Sequence, residues 1–164
     1  MRKIITSAAV AAAATALLGG TGIAAASSHA AATKTEAFQL MSTSGTNKAS
    51  VIASGAFTAG GVGTAGAHNT ETLTFANGSV KLVHKKISGS QHFDPATCLL
   101  TGTETDSYTL GNGTGAYAGI SGSGKATVNI LAIAARNSQG KCSMSKAPAA
   151  FHFLVNASGP VTLP

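Results

Sequence analysis

The run Leu73-Thr74-Phe75-Ala76-Asn77-Gly78-Ser79-Val80-Lys81-Leu82-Val83 is the clearest structural signal in the sequence. On both sides of Asn77-Gly78, apolar and polar side chains alternate, which is the pattern of a half-buried β-strand. Asn-Gly favours the positive φ angles that both central residues of a type I′ turn need. The run therefore predicts two antiparallel strands joined by a tight hairpin turn at Asn77-Gly78.

Similar short runs rich in Thr, Val and Phe recur through the chain after residue 32, separated by Gly, Asn and Ser. This spacing, without a sustained helical period, is typical of an all-β sandwich or barrel. The Gly-rich stretch 59–67 is expected to be a flexible connection, and residues 136–147 a second loop. We expect strands over residues 36–43, 49–58, 71–76, 79–87, 99–110, 124–135 and 149–157, and a short last strand over 159–163.

The composition narrows the class of protein. The chain has 164 residues, of which 44% are hydrophobic and only 10% are charged, so it has the length of a single domain and is not disordered. An average soluble domain carries about 25% charged residues, and a surface of Thr, Ser, Asn and Gly is typical of extracellular β proteins. The stripe formed by Lys81, Lys85 and Lys86 lacks interleaved aromatic residues, so no nucleic-acid partner is expected.

The amino-terminal segment has the pattern of a secretory signal. Arg2 and Lys3 precede an apolar stretch over residues 4–18, and small residues follow it. Cleavage patterns end at Ala26 and at Ala30, so we assign residues 1–30 to the signal and residues 31–164 to one barrel domain. The alternative is a retained membrane anchor, but about 15 apolar residues fall short of the roughly 20 that span a bilayer. The sequence predicts a secreted protein without a later membrane span.

The two cysteines, Cys98 and Cys142, both lie in the predicted mature chain. In an oxidising compartment, a pair far apart in sequence most often forms a disulfide. A reactive or metal-binding thiol is the alternative, but neither cysteine has a neighbouring His or a CxxC partner. We therefore predict a Cys98–Cys142 disulfide, which should stabilise the fold by roughly 4 kcal/mol in the chain-entropy model.

Residues 113–124 have the sequence GTGAYAGISGSG and form the most distinctive motif of the chain. A phosphate-binding loop would open a helix, whereas here the β-like run 125–130 follows and the Walker Lys-Ser/Thr pair is absent. We interpret the motif as a structural turn between two long strands, with Tyr117 and Ile120 plugging the end of a barrel. The glycines that permit the reversal are Gly113, Gly115, Gly119, Gly122 and Gly124.

This motif resembles the GTGxYxGxxGxG turn of the allene oxide cyclase and dirigent-like barrel superfamily. Secreted bacterial members of that group carry it with an Asp-Pro-Ala-Thr-Cys stretch similar to residues 94–98 here. The resemblance covers about residues 35–163 in strand order. It implies an antiparallel, closed barrel of about eight strands with a central cavity, but the family's catalytic residues have no matching positions in this sequence.

The alternation within three predicted strands indicates one candidate polar site. Acidic side chains and a tyrosine share a strand face with apolar residues, and an inward orientation would place them in one cavity, where burial raises a carboxyl pKa. The alternative is that the Thr-rich faces point inward, or that two of the acids are exposed at strand starts. From the sequence we favour this alternative, because acids are seldom fully buried without partners. The candidate ligand-binding residues are Glu36, Glu71, Glu104, Asp106 and Tyr108.

Three functions fit these patterns. Small residues at predicted strand positions would leave room inside a barrel for a small apolar or amphipathic ligand, which is the first hypothesis. The second is a cyclase or isomerase of the allene oxide cyclase-like type, and the third is a structural or cell-envelope protein with a filled barrel. No metal and no cofactor are expected, because the histidines lack HxH or HExxH spacing. The small residues are Ala53, Gly55, Gly102, Ala126 and Ala132.

Overall fold

The computed structural model of the protein describes residues 32–163, so the predicted signal peptide lies outside the described residues. These residues form ten β-strands and one short 3-10 turn. Eight of the strands close a barrel, and two short ones pair separately. The barrel strands are β1 (Thr33–Ser42), β2 (Lys48–Ser54), β3 (Ala59–Ala65), β4 (Thr70–Phe75), β5 (Gly78–Asp94), β6 (Leu99–Gly111), β7 (Ser121–Ile133) and β10 (Ala150–Thr162), and the separate pair is β8 (Ala135–Arg136) with β9 (Cys142–Ser143).

The order of strands around the barrel is β1-β10-β7-β6-β5-β4-β3-β2, and β1 closes it by pairing with both β10 and β2. Each neighbouring pair is antiparallel. The predicted fold class, an all-β closed antiparallel barrel of about eight strands, is therefore confirmed. Within residues 32–163, no helix has the length and apolar character needed to cross a membrane.

Alternate residues of each strand point into the barrel, as the period of two requires. In β1, Glu36, Phe38, Leu40 and Ser42 are buried, whereas the residues between them are more exposed. The same alternation in the other strands builds one continuous core. Its buried members from the other strands are Val51, Ala53, Leu73, Phe75, Val80, Leu82, Tyr108, Leu110, Ala126, Ala157 and Val161.

The Gly-rich motif closes one end of the barrel, which we call the plug end. Between β6 and β7 the chain makes a 3-10 turn over Gly115–Tyr117, and Tyr117 and Ile120 are buried inside the barrel. The Tyr117 ring packs on Phe57 and Phe75, with centroid distances of 4.8 and 5.5 Å. The predicted turn and plug are confirmed, although the last two glycines of the motif, at positions 122 and 124, belong to β7 rather than to the turn.

At the opposite end, four long strands continue beyond the other four. Pairing of β4 with β5 ends at Val83, and pairing of β1 with β10 ends at Phe153, while β5, β6, β7 and β10 run on together. A bulge between Lys86 and Ser88 shifts the register of β5 within this extension. The predicted disulfide, Cys98–Cys142, is present and ties the β5–β6 turn to the β7–β10 connection.

The prediction of a loop at residues 59–67 was wrong, because Ala59–Ala65 is strand β3, paired with β2 and β4. Glycine is needed there for space rather than flexibility. A Cβ atom on Gly63 would lie 2.5 Å from Oε1 of Glu71, which is closer than real Cβ contacts come. The two predicted carboxy-terminal strands are a single strand, β10, and strand β5 extends seven residues beyond the predicted end at Ile87.

The hairpin at Asn77-Gly78 exists, but its turn lies one residue earlier than predicted. Phe75 pairs with Gly78, so Ala76 and Asn77 are the central turn residues. Only Gly78 of the predicted pair has a positive φ, at 146°, so the predicted type I′ geometry at Asn77-Gly78 was wrong. A Cβ atom on Gly78 would lie 2.1 Å from the Thr114 carbonyl oxygen. The glycine thus lets the β4–β5 hairpin pack directly against the plug turn.

Candidate ligand-binding site

A cavity of about 320 Å³ occupies the end of the barrel opposite the plug, which we call the open end. Thr46 and Asn47 of the β1–β2 connection, with Lys48 at the start of β2, are exposed and form part of its rim. Most of the apolar wall consists of side chains from β1, β7 and β10. The apolar wall residues are Phe38, Leu40, Ala126, Val128, Phe151, Phe153, Val155 and Ala157, together with Ala49 of β2, Ala65 of β3 and Leu82 of β5.

One side of the cavity is polar, because β5 and β6 place ionisable residues opposite each other there. His84 follows Val80 and Leu82 on the inner face of β5, and Asp106 precedes Tyr108 on the inner face of β6. Nδ1 of His84 lies 3.2 Å from Oδ2 of Asp106. The Asp106 side chain is only 5% exposed, and its Oδ1 atom has no hydrogen-bond partner among residues 32–163. This carboxyl group is therefore buried beside the cavity with only one of its oxygens bonded.

Glu104 lies next to Asp106 on the same strand face, farther toward the extension. Burial raises the pKa of Asp106, and the neighbouring Glu104 carboxyl group raises it further. The pKa of Glu104 is lowered, chiefly because the Lys86 ammonium donates a hydrogen bond to its Oε2 atom over 2.5 Å. Glu104 and Lys86 thus form a partly exposed ion pair beside the buried Asp106 carboxyl group.

Glu71 forms the third part of the polar wall, at the start of β4. Its carboxyl group lies over Gly63 of the neighbouring strand β3, which has no side chain to exclude it. Burial raises the pKa of Glu71, and the nearby His84 imidazole opposes that rise. His84 is thus the basic group nearest to the carboxyl groups of both Glu71 and Asp106.

Tyr108 and Glu36 lie deeper, between the cavity and the plug. The Tyr108 ring packs edge-on against Phe38, with ring centroids 6.4 Å apart, and its hydroxyl lies over Gly124 of β7. Glu36 is fully buried and accepts a hydrogen bond of 2.9 Å from the Phe57 backbone N–H. Burial raises the pKa of both groups, and the Glu36 charge raises that of Tyr108 further. The Tyr108 hydroxyl and Oε1 of Glu36 find no hydrogen-bond partner in the described part of the chain.

The candidate site residues therefore lie on the inner faces of their strands, and our favoured sequence interpretation, with Thr-rich faces inward, was wrong. Glu71, Asp106 and Tyr108 line the cavity, whereas Glu104 lies above it and Glu36 below it. Of the small residues expected to leave room, Ala126 is in the cavity wall but Ala53 belongs to the packed core.

Sequence reasoning missed His84 and the aromatic residues of β10. His84 shares the parity of Val80 and Leu82, which marks the inner face of β5, so alternation alone was enough to find it. Phe151 and Phe153 share a face with Ala157 in the same way. In residues 32–163, no group of three or more His, Cys, Asp or Glu side chains is arranged to hold a metal ion.

The comparisons with known proteins give no relative for this chain. No family model, no curated protein and no solved structure matches the sequence.

Proposed function

We propose that the protein binds a small apolar or amphipathic molecule in the cavity at the open end of the barrel. One observation carries this proposal, namely the apolar cavity of about 320 Å³ with a single polar side. Ligand pockets are typically concave, mostly apolar and about 300–1,000 Å³ in volume, with a few placed polar groups. The cavity lies at the lower limit of that range, which limits the ligand to a small molecule or one chain of an amphiphile.

The shape of the barrel supports binding from the open end. Aromatic side chains fill the plug end, so a ligand would enter past the rim and stop near Phe38 and Tyr108. The third hypothesis, a barrel filled throughout, is less well supported, because only the plug half is packed with side chains. The resemblance to the allene oxide cyclase and dirigent-like superfamily, which we retain as a proposal, also implies a barrel with a central cavity.

The binding proposal is tested with N-phenyl-1-naphthylamine, a neutral probe whose fluorescence rises in apolar surroundings. Ala126→Phe should fill the cavity and reduce probe affinity at least tenfold, while Thr127→Phe, which adds the same ring on the exposed face of β7, should leave it unchanged. Near-ultraviolet circular dichroism confirms that both variants are folded. Equal probe binding by the Ala126 variant and the wild type, or none by the wild type, would contradict the proposal.

A second candidate function is acid–base catalysis in the same cavity, and the His84–Asp106 pair is the observation that favours it. A carboxylate bonded to Nδ1 orients an imidazole whose other nitrogen exchanges protons with a substrate. Such an isomerase should exchange α-hydrogens of a bound ketone such as 4-phenyl-2-butanone with deuterium from solvent. His84→Gln should abolish that exchange, and its absence in the wild type would oppose this function.

We also propose that the mature protein is secreted. The Cys98–Cys142 disulfide supports this, because structural disulfides persist mainly in oxidising compartments. Mass spectrometry of the protein recovered from culture medium would test it. A chain that begins at Ser27 or Ala31 is expected, and a protein found only inside cells would contradict the proposal.

A further inference from the structure

The distribution of acidic residues is unusual for so basic a chain. The sequence has a formal net charge of +6 and only five Asp and Glu residues. Four of these five lie on inner faces of barrel strands, and the fifth, Asp94, ends β5 at the tip of the extension. Burying a carboxyl group opposes folding unless a partner compensates for its lost hydration. Glu36 and Glu104 have such partners, the Phe57 N–H and the Lys86 ammonium, whereas the other two inner acids lie in the cavity wall. The inner four are Glu36, Glu71, Glu104 and Asp106.

The polar side of the cavity carries two carboxyl groups. Its carboxyl groups are those of Glu71 and Asp106, and His84 is the one basic side chain between them. The Lys86 ammonium is bound to Glu104, and Lys48 is exposed at the rim. The unbonded Oδ1 atom of Asp106, in a side chain 95% buried, is an acceptor for which the described residues supply no donor.

We propose that the ligand of this cavity is an amphiphile whose polar end is an ammonium group, which Asp106 and Glu71 bind while the tail contacts the apolar wall. This inference rests on the proposed binding function and adds the chemical class of the ligand. An ammonium supplies N–H donors and a positive charge to the two carboxyl groups, and charge-assisted hydrogen bonds are stronger than neutral ones. A carboxylate ligand of the same shape would instead meet like charges in a desolvated site.

The tail is limited by the size of the cavity. At roughly 30 Å³ for each water-sized group, 320 Å³ holds on the order of ten such groups. Phe38 and Leu40 of β1 and Phe153 and Val155 of the neighbouring strand β10 line this space. A linear or monocyclic tail of about ten carbon atoms therefore matches the available room.

The experiment compares three probes that share a ten-carbon tail and differ only at the polar end: decylamine, 1-decanol and decanoate. Their affinities are measured at pH 7 by displacement of N-phenyl-1-naphthylamine, below the concentrations at which they aggregate. Decylammonium is expected to bind at least about tenfold more tightly than decanol, as a charge-assisted hydrogen bond implies, and decanoate should bind most weakly. The overall positive charge of the protein favours decanoate and disfavours decylammonium. Tighter binding of decylammonium would therefore arise from the cavity and not from the net charge.

Asp106→Asn should lower the affinity for decylammonium about tenfold and leave that for decanol within a factor of three. Asp94→Asn, which removes the same charge at the tip of the extension, is the matched control and should change neither. If the Asp106 variant does not fold, Glu71→Gln provides the same comparison.

The outcomes separate the two proposals. Decanol binding as tightly as decylammonium, or Asp106→Asn weakening both probes alike, would overturn the ammonium assignment and leave the binding function standing. Failure of all three probes and of the fluorescent probe to bind would overturn the binding function itself.

Discussion

The plug end and the open end of the barrel share one inner surface, but the residues on that surface differ in size and polarity. At the plug end, the rings of Phe57, Phe75 and Tyr117 pack with centroids 4.8 to 5.7 Å apart. At the open end, comparable inner positions hold Glu71, His84 and Asp106, and a cavity remains between them and the apolar wall. The plug end is filled because the β2–β3 connection and the 3-10 turn bring Phe57 and Tyr117 against Phe75 of β4.

This difference indicates a division of roles along the barrel axis. Close packing of aromatic rings at the plug end contributes stability, since each ring buries a large apolar area. The carboxyl groups of the open half oppose folding, as the raised pKa values of Glu71 and Asp106 show. A protein that keeps such groups in one half must compensate in the other, and sites arranged for binding commonly carry this kind of strain.

The largest contrast is expected when one aromatic side chain is removed from each end. Tyr117→Ala should lower the free energy of unfolding by about 3–5 kcal/mol, because it leaves a hole in a packed core. Phe151→Ala at the cavity should lower it by about 1 kcal/mol, because that ring is only half-buried and already borders empty space. Guanidinium unfolding followed by circular dichroism measures both. Equal losses of unfolding free energy would mean that the two ends contribute equally to stability.

Removal of the disulfide tests whether the extension stabilises the cavity at the open end. Replacing Cys98 and Cys142 by Ser should lower the free energy of unfolding by up to about 4 kcal/mol, because the bond closes a loop across a sequence separation of 44. The cavity should persist, since its strands are held by their own ladders. Urea unfolding and binding of N-phenyl-1-naphthylamine are the two measurements. Loss of probe binding by a folded variant would show instead that the disulfide organises the cavity.

The buried acids predict that the free energy of unfolding falls as the pH rises. Burial raises the pKa of Glu36 above its ordinary value of 4.5, so the folded state binds a proton more tightly than the unfolded chain does. The resulting stabilisation is fully present below the pKa that Glu36 has in the unfolded chain. It is lost as the pH rises through the pKa that Glu36 has in the folded protein. Each unit of difference between these two pKa values corresponds to about 1.4 kcal/mol. Glu71 and Asp106 act in the same direction.

Glu36→Gln isolates one of these contributions. The variant should gain stability relative to the wild type as the pH rises from about 4.5 to 8, because it has no charge to bury. Denaturant unfolding at several pH values measures the difference. If the free energies of unfolding of variant and wild type change in parallel with pH, the predicted contribution of Glu36 is contradicted. Asp94 and Glu104, whose pKa values are lowered, lose their stabilising effect only as the pH falls further, and they do so in both proteins.

The smallest effect is expected at the boundary between the two halves. Tyr108→Phe removes a buried hydroxyl that has no hydrogen-bond partner among the described residues. The free energy of unfolding should stay the same or rise by about 1 kcal/mol, because an unsatisfied polar group is replaced by hydrogen. Thermal and denaturant unfolding would show this. A clear loss of stability would mean that the hydroxyl binds a water molecule or a ligand.

The predicted number of barrel strands was right, although two of the strand assignments behind it were wrong. The sequence predicts a loop at Ala59–Ala65 because glycine has low strand propensity, and it predicts two strands where one long strand, β10, runs through Gly159. In both places glycine provides space for a neighbouring group. A Cβ atom on Gly159 would lie 2.0 Å from the Ser123 carbonyl oxygen. Such a requirement depends on a strand distant in sequence, so local propensity contains no sign of it.

Alternation identifies the candidate site residues, but the interpretation that the sequence favours puts the wrong face of their strands inside the barrel. The general rule that acids avoid burial favoured the Thr-rich faces as the inner ones. That rule describes the average cost of burying a charge, and it does not include compensation by His84 beside Asp106 or by the Phe57 N–H that binds Glu36. These partners come from other strands and from a turn, so a single strand's sequence could not reveal them.

Alternation of side chains, turn residues and the cysteine pair were sufficient to predict an all-β sandwich or barrel, its Gly-rich turn and its disulfide, whereas closure into about eight antiparallel strands was implied by the family resemblance. These features are local or depend on the number and spacing of strands, and both are written directly in the chain. The barrel's closure decided the rest: which face of each strand is inner, which glycines make room, and that four acids meet basic and apolar residues inside. Closure brings together residues up to a hundred or more positions apart, such as Phe38 and Ala157, and contacts at that distance have no signature in local sequence.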